Sequence, residues 1–164
     1  MKKILLTALL FLSLMVCFTS PAWAGGVDDA KAGLAAFQER NYNEAIRLVT
    51  KAIASGELSR EQLSPVYALR GYAWFAKDDY DKAIVDYTEA IEIDPKNAIA
   101  YYSRGNAWAA KGDYDKAIAD FTEAIDLEPK FSFAYFNRGN AWDKKGNHDK
   151  AKADYAKAKE LGYK

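Results

Sequence analysis

A 34-residue period constrains this chain more than any other feature. Tyr67-x-x-Arg70-Gly71-x-x-Trp74 returns as Tyr101-x-x-Arg104-Gly105-x-x-Trp108, and again as Tyr135-x-x-Arg138-Gly139-x-x-Trp142, each time 34 residues on. A second set, Ala83-x-x-x-Tyr87-x-x-Ala90, returns as Ala117-x-x-x-Phe121-x-x-Ala124 and as Ala151-x-x-x-Tyr155-x-x-Ala158 at the same interval. Self-similarity at such a period signals stacked repeats, in which no unit can bury its apolar side alone and each neighbour supplies the cover. Tyr101, Gly105 and Trp108 fall on one helical face, as do Ala117, Phe121 and Ala124 on another. Each unit therefore reads as two helices of about fourteen residues.

These recurring columns resemble the tetratricopeptide repeat, and the resemblance covers nearly all of the chain after residue 26. One departure is regular: Arg70, Arg104 and Arg138 stand where that family usually has Leu. The resemblance implies an all-α fold, a right-handed superhelix (α-solenoid) of four antiparallel helix–turn–helix repeats. Their expected bounds are about 26–59, 64–97, 98–131 and 132–164, within a repeat domain of 25–164.

The start of the chain is different in kind. Lys2 and Lys3 precede an apolar run from Ile4 to Phe18, and Ala22-Trp23-Ala24 follows. A basic tip, a short apolar stretch and an Ala-x-Ala end read as a signal peptide over 1–24, cleaved after Ala24. A retained membrane anchor is the rival, but the run is short against a span of about 20 residues. Cys17 raises lipidation as a second rival, yet Val16 precedes it where bacterial lipoproteins carry a small residue. Cleavage after Ala24 leaves no cysteine and hence no disulfide. The expected location is periplasmic or secreted.

Loops and caps follow from local chemistry. Gly112 marks a left-handed turn after a first helix. Asp113 and Asp115 then lie at the positive start of the second, and Pro95 and Pro129 close second helices. Between the first and second repeats the Gly33-to-Gly71 interval is 38, four residues longer than the period. The extra residues fall in 55–62, either lengthening the loop or extending a helix by a turn. Gly56 predicts a helix stop there, and Ser64-Pro65 predicts the restart, with Ser64 as cap.

Two columns speak to assembly. Arg70, Arg104 and Arg138 co-vary with Asp86, Asp120 and Asp154, and in the first repeat both columns turn apolar together as Ala32 and Leu48. That predicts ion pairs between the two helices of one repeat. Ile46, Ile84 and Ile118 give way to Lys152, and Ile53, Ile91 and Ile125 to Lys159. A stripe that would receive another repeat has been made charged, as a terminal repeat requires. Four repeats and eight helices result.

Chemistry is sparsely represented. There are 23 basic and 23 acidic residues, without the excess of positive charge that nucleic-acid binding uses. His148, the single histidine, sits in the turn column of Tyr42, Tyr80 and Tyr114, which reads as a structural substitution. Asp79-x-Asp81 and Asp113-x-Asp115 lack the glycine and distal Glu of a calcium loop. No phosphate loop, nucleophile elbow or zinc pattern is present. No catalytic residue, cofactor or metal is expected, and the chain is read as non-enzymatic.

Carried over from the resembled family, the first helices line a groove. Its residues here are Leu34 and Phe37, then Tyr72 and Phe75. Ile99, Tyr102 and Asn106 continue it, followed by Phe133, Phe136, Asn140 and Asp143. Aromatic rings supply contact area, and Asn pairs with a peptide backbone as both donor and acceptor. Some of these aromatics are equally placed to pack between neighbouring first helices. Some family members clamp a terminal carboxylate with Lys and Arg. Here Tyr102 and Phe136 occupy the expected lysine positions, although Asn106 and Asn137 match the amides. The resemblance implies a protein-interaction adaptor holding a peptide segment or partner subunit in the bacterial cell envelope. A structural scaffold or homo-oligomer is the alternative.

Overall fold

The computed structural model describes residues 25–163. The segment 1–24 that reads as a signal peptide, Cys17 included, lies outside the described residues. Eight helices and no strand occur among the described residues: α1 Gly26–Gln38, α2 Tyr42–Ala54, α3 Arg60–Ala76, α4 Tyr80–Ile93, α5 Ala98–Lys111, α6 Tyr114–Leu127, α7 Ser132–Lys144 and α8 His148–Glu160. Among the described residues, those up to Asp94 form one compact unit and those from Pro95 form another. In the first unit α1 pairs with α2, α3 with α4, and α2 packs on α3. In the second, α5 pairs with α6, α7 with α8, and α6 packs on α7.

Each hairpin closes on a glycine opposite a large side chain. A Cβ at Gly71, Gly105 or Gly139 would lie 2.7 Å from the ring of Tyr87, Phe121 or Tyr155. In the first hairpin Val49 replaces the ring, 2.6 Å from a Cβ at Gly33. Removing the side chain lets the two backbones approach closely enough for Ala45, Ala83, Ala117 and Ala90 to be fully buried beside them. Any added methyl forces repacking against a filled site.

The turns repeat the same solution. Asp79, Asp113, Asn41 and Asn147 are the caps of the second helices, each accepting a backbone N–H three residues ahead. Side-chain oxygens there satisfy donors that the helix itself leaves open. The preceding residue is left-handed in all four turns: Gly112 and Gly146, but also Arg40 at φ 63° and Asp78 at φ 62°.

The charge pairs form as expected. Arg70, Arg104 and Arg138 each hold one aspartate through two nitrogens. Nη2 lies 2.7, 2.8 and 2.8 Å from Asp86, Asp120 and Asp154 respectively, and Nε donates to the second oxygen at 2.8–2.9 Å. Tyr67, Tyr101 and Tyr135 lie under the guanidinium groups at 5.5–5.7 Å. Arg70 also donates to Thr50 on α2, and Arg138 to Thr122 on α6, both at 3.1 Å. For Arg70 and Arg138 the pair thus ties a hairpin internally and, through Nη1, to the hairpin before it. Bonding to the aspartates raises Arg70 and Arg138 above the usual guanidinium range. Burial nevertheless lifts the Asp86 carboxyl, outweighing its bond to Arg70. Such desolvation makes a buried pair a device for specifying which groups meet, with little net gain in stability.

One expectation is corrected. The second repeat does not restart at Ser64. α3 begins at Arg60, with Ser59 as its cap and Gln62 completing a capping box. The Ser59 side chain accepts from Gln62 N, and the Gln62 side chain accepts from Ser59 N at 2.9 Å. Gly56 does mark a helix stop: it follows the end of α2 at φ 69°, its N–H donating to the Ile53 carbonyl. The four extra residues therefore extend a helix by a turn. Pro65 lies inside that helix, and Ser64 is buried, donating to the Ala90 carbonyl at 3.0 Å.

The terminal columns differ as the sequence predicts. Ile84, Ile91, Ile118 and Ile125 are buried, whereas Lys152 and Lys159 are exposed.

Candidate functional site

The first-helix residues assigned to a groove separate into two groups. Phe37, Tyr72 and Tyr102 are only 9%, 4% and 6% exposed. Their assignment as open groove surface is corrected: they are packing residues. Tyr72 meets Tyr87 edge-on at 5.4 Å and Phe37 at 6.5 Å. Tyr102 lies between Phe131 at 4.8 Å and Phe121 at 5.9 Å. A ring on a first helix can swing toward the second helix, and here filling the hairpin wins. Leu34, Phe75, Ile99, Asn106, Phe133, Phe136 and Asp143 are half-buried, and Asn140 is exposed.

In the first unit this leaves Leu34 and Phe75 partly accessible, with Phe75 against Tyr80 at 5.3 Å. This surface is apolar and offers contact area without directed hydrogen bonding.

The second unit carries a polar system. Asn137 Nδ2 donates to Asn106 Oδ1 at 2.7 Å and to the Tyr102 hydroxyl at 3.0 Å. The bond links α5 to α7 and fixes two amide side chains at half-buried positions. Burial pushes the Tyr102 phenol up, so it stays a neutral hydroxyl. Asn137 was legible only as a match to an amide position. Its sequence signal is the 31-residue offset from Asn106, three short of the period, so the two amides meet across neighbouring first helices.

Further along α7 a second system forms. Tyr155 Oη on α8 lies 2.7 Å from Asp143 Oδ2 and 3.0 Å from Asn140 Oδ1, sharing one proton between them. His148 Nδ1 lies 3.0 Å from Asp143 Oδ1. The bonds from His148 and then Tyr155 hold the Asp143 carboxyl below its ordinary range. Burial, with Asp143 beside it, pushes Tyr155 to about 12. Tyr155 and His148 were not assigned to the site from sequence, because they belong to the second helix and its turn.

Phe133 and Phe136 do not stand free. Tyr163 stacks on Phe136 at 4.1 Å and 17° between planes, and meets Phe133 edge-on at 5.2 Å. In the preceding hairpin Phe131 covers Tyr102 in the same way. In these two hairpins an aromatic residue from the segment after the second helix closes the aromatic row.

Among the described residues no group of three His, Cys, Asp or Glu side chains comes together as metal ligands do. No helix among them is long and apolar enough to cross a membrane.

Three family models match the chain: a TPR-repeat model over residues 71–112, and tetratricopeptide-repeat models over 98–131 and 132–162. Among solved structures, MamA is 30% identical, with 81% of this chain and 75% of that one covered at a TM-score of 0.76. YrrB, described as a TPR protein with an unusual peptide-binding site, is 21% identical. The match covers 84% of this chain and 69% of that one at a TM-score of 0.75. The second TPR of Spaghetti (RPAP3), bound to an HSP90 peptide, is 32% identical. It covers 61% of this chain and 93% of that one at a TM-score of 0.60. No curated protein sequence matches.

Proposed function

The chain belongs to the tetratricopeptide-repeat family, and from that premise we propose that it is a non-enzymatic adaptor of the cell envelope that holds a segment of another protein on its first-helix faces. The observation that carries the reading is the amide pair Asn106–Asn137. Bonding to each other orients both side chains at half-buried positions; Asn106 also bonds the Tyr102 phenol, so the Asn137 Oδ1 edge and the second proton of Asn106 Nδ2 are what a guest can meet. Together they offer a donor and an acceptor to a peptide backbone, flanked by the apolar surface of Ile99 and Phe133. Similar structures bind peptides, one of them an HSP90 peptide.

Export rests on the sequence before Gly25: a basic tip, an apolar run and Ala22-Trp23-Ala24. The location is therefore periplasmic or secreted. Cell fractionation tests it, with the N-terminal residue read by mass spectrometry. A mature chain beginning at Gly25 in the envelope fraction is expected. An uncleaved chain in the cytosol sinks the export reading.

The binding reading is tested by affinity capture with the full tagged chain against the double variant Asn106→Ala, Asn137→Ala. Partners held through this face disappear from the variant while its helical content stays the same. Identical partner sets from both chains contradict the assignment and leave the scaffold or homo-oligomer as the reading to pursue.

A further inference from the structure

The last hairpin breaks a packing column in a way that points to its guest. At the end of each first helix a residue faces one in the following turn. These pairs are Phe37–Tyr42 at 5.5 Å and Phe75–Tyr80 at 5.3 Å. The same two columns become Ala109 and Tyr114, and then Asp143 and His148. The aromatic contact of the first two turns is already gone from the third, where Ala109 stands, and in the fourth a carboxylate takes the position. Packing of the turn does not ask for a charge at this position.

The surroundings leave that carboxylate short of donors. Asp143 presents two oxygens with about four lone-pair directions, and Asn140 Oδ1 adds another acceptor beside them. The Tyr155 hydroxyl supplies one proton to this group, and His148 one nitrogen. Lys145 is taken up by Asp115. Lys144, the next residue on α7, stands about 100° further round the helix. The Asp143 side chain keeps 40% of its surface accessible. Elsewhere on this face Ile99, Asn106, Phe133, Phe136 and Asn140 are all uncharged.

We propose that Asp143 sets the specificity of this face, and that the guest is a peptide segment presenting an arginine or lysine to Asp143 and Asn140. This rests on the reading of the first-helix faces as the binding surface. A guanidinium fits best, because its planar fork matches two acceptor oxygens at once. An acidic chain end, by contrast, meets a fixed negative charge here. Tyr102 and Phe136 supply no cation to offset it.

Short random peptides displayed on phage and panned against the purified full chain provide the test. The enriched sequences are expected to carry Arg or Lys at one fixed register. A synthetic copy of one such peptide is expected to bind Asp143→Asn about tenfold more weakly. Replacing its basic residue by Ala gives the same loss, and the two changes together lose no more than either alone. Asp143→Lys with a Glu at that register restores binding, which excludes a mere folding defect. Enriched peptides without a fixed basic register, or full binding to Asp143→Asn, overturn the inference. If those peptides still fail on the Asn106→Ala, Asn137→Ala variant, the binding surface stands and only the charge preference falls. Peptides indifferent to both variants, or no enrichment at all, remove both readings.

Discussion

The first and last hairpins of this chain are both atypical, and they differ from the inner hairpins in opposite ways. The first gives up the buried charge pair, with Ala32 and Leu48 in place of arginine and aspartate. It keeps isoleucine at both stripe positions, Ile46 and Ile53. The last keeps Arg138 bonded to Asp154 through two nitrogens and surrenders the stripe to Lys152 and Lys159. Arg138 also reaches back to Thr122 of the hairpin before it, as Arg70 reaches back to Thr50. The first hairpin lacks that arginine altogether. The comparison teaches that the arginine column goes with a bond to a preceding hairpin, at Thr50 for Arg70 and at Thr122 for Arg138, while the isoleucine stripe is kept in every hairpin but the last.

Breaking one inner pair gives the largest expected effect. Asp120→Ala leaves Arg104 with its main partner gone. It is expected to cost about 3 kcal/mol in chemical denaturation, the low end of the range because part of the arginine reaches water. Copying the first hairpin instead, with Arg104→Ala and Asp120→Leu together, is expected to cost clearly less. Equal losses from the two variants contradict the reading of the pair as a specificity device.

Making the last hairpin resemble the inner ones comes next. Lys152→Ile with Lys159→Ile exposes an apolar stripe on α8 and is expected to promote association. Light scattering that shows the double variant monodisperse at high concentration argues against the cap.

An alkaline titration sharpens the contrast between the ends. Tyr155 titrates near 12 in the folded chain because of burial and then Asp143. Its folded value lies above its unfolded value, near 10. Its stabilising share is thus present below pH ~10 and is lost as pH rises through ~12. Val49 holds the same column in the first hairpin. Hydrogen exchange is expected to show α8 loosening over that window before α2 does, with the Tyr155→Phe variant spared.

The smallest effect concerns the turns. Arg40 adopts a left-handed conformation where Gly112 and Gly146 do so at no cost in strain. Arg40→Gly is expected to stabilise by about 0.5 kcal/mol, since relief of strain exceeds the added chain entropy. A lower melting midpoint for this variant contradicts that balance.

Much of this was legible because repetition averages out local noise. Three arginines co-varying with three aspartates, and losing charge together in the first repeat, is a contact signal within one sequence. The start of α3 was misread for a local reason. Ser64-Pro65 satisfies the rule for a helix beginning, yet Ser59 and Gln62 form the stronger signal, with the cap five residues earlier. Pro65 is tolerated inside the helix while Ser64 finds a carbonyl on α4. The binding face was legible only in part. Which of Phe37, Tyr72, Tyr102 and Phe136 turns inward depends on ring partners such as Tyr87, Phe131 and Tyr163. Those partners lie on other elements. Tyr155 reads from the sequence only as a repeat column and His148 only as a structural substitution in a turn, because a site placed on first helices excludes a second-helix side chain that reaches across.

Photo-crosslinking in living cells tests the adaptor reading most directly. A photoreactive residue is placed at exposed Asn140 on α7 in one full chain, and at exposed Val85 on α4 in another. Discrete crosslinks to a foreign protein from position 140, absent from position 85, are the predicted result. Crosslinks from position 85 alone, or only to a second copy of this chain, contradict it.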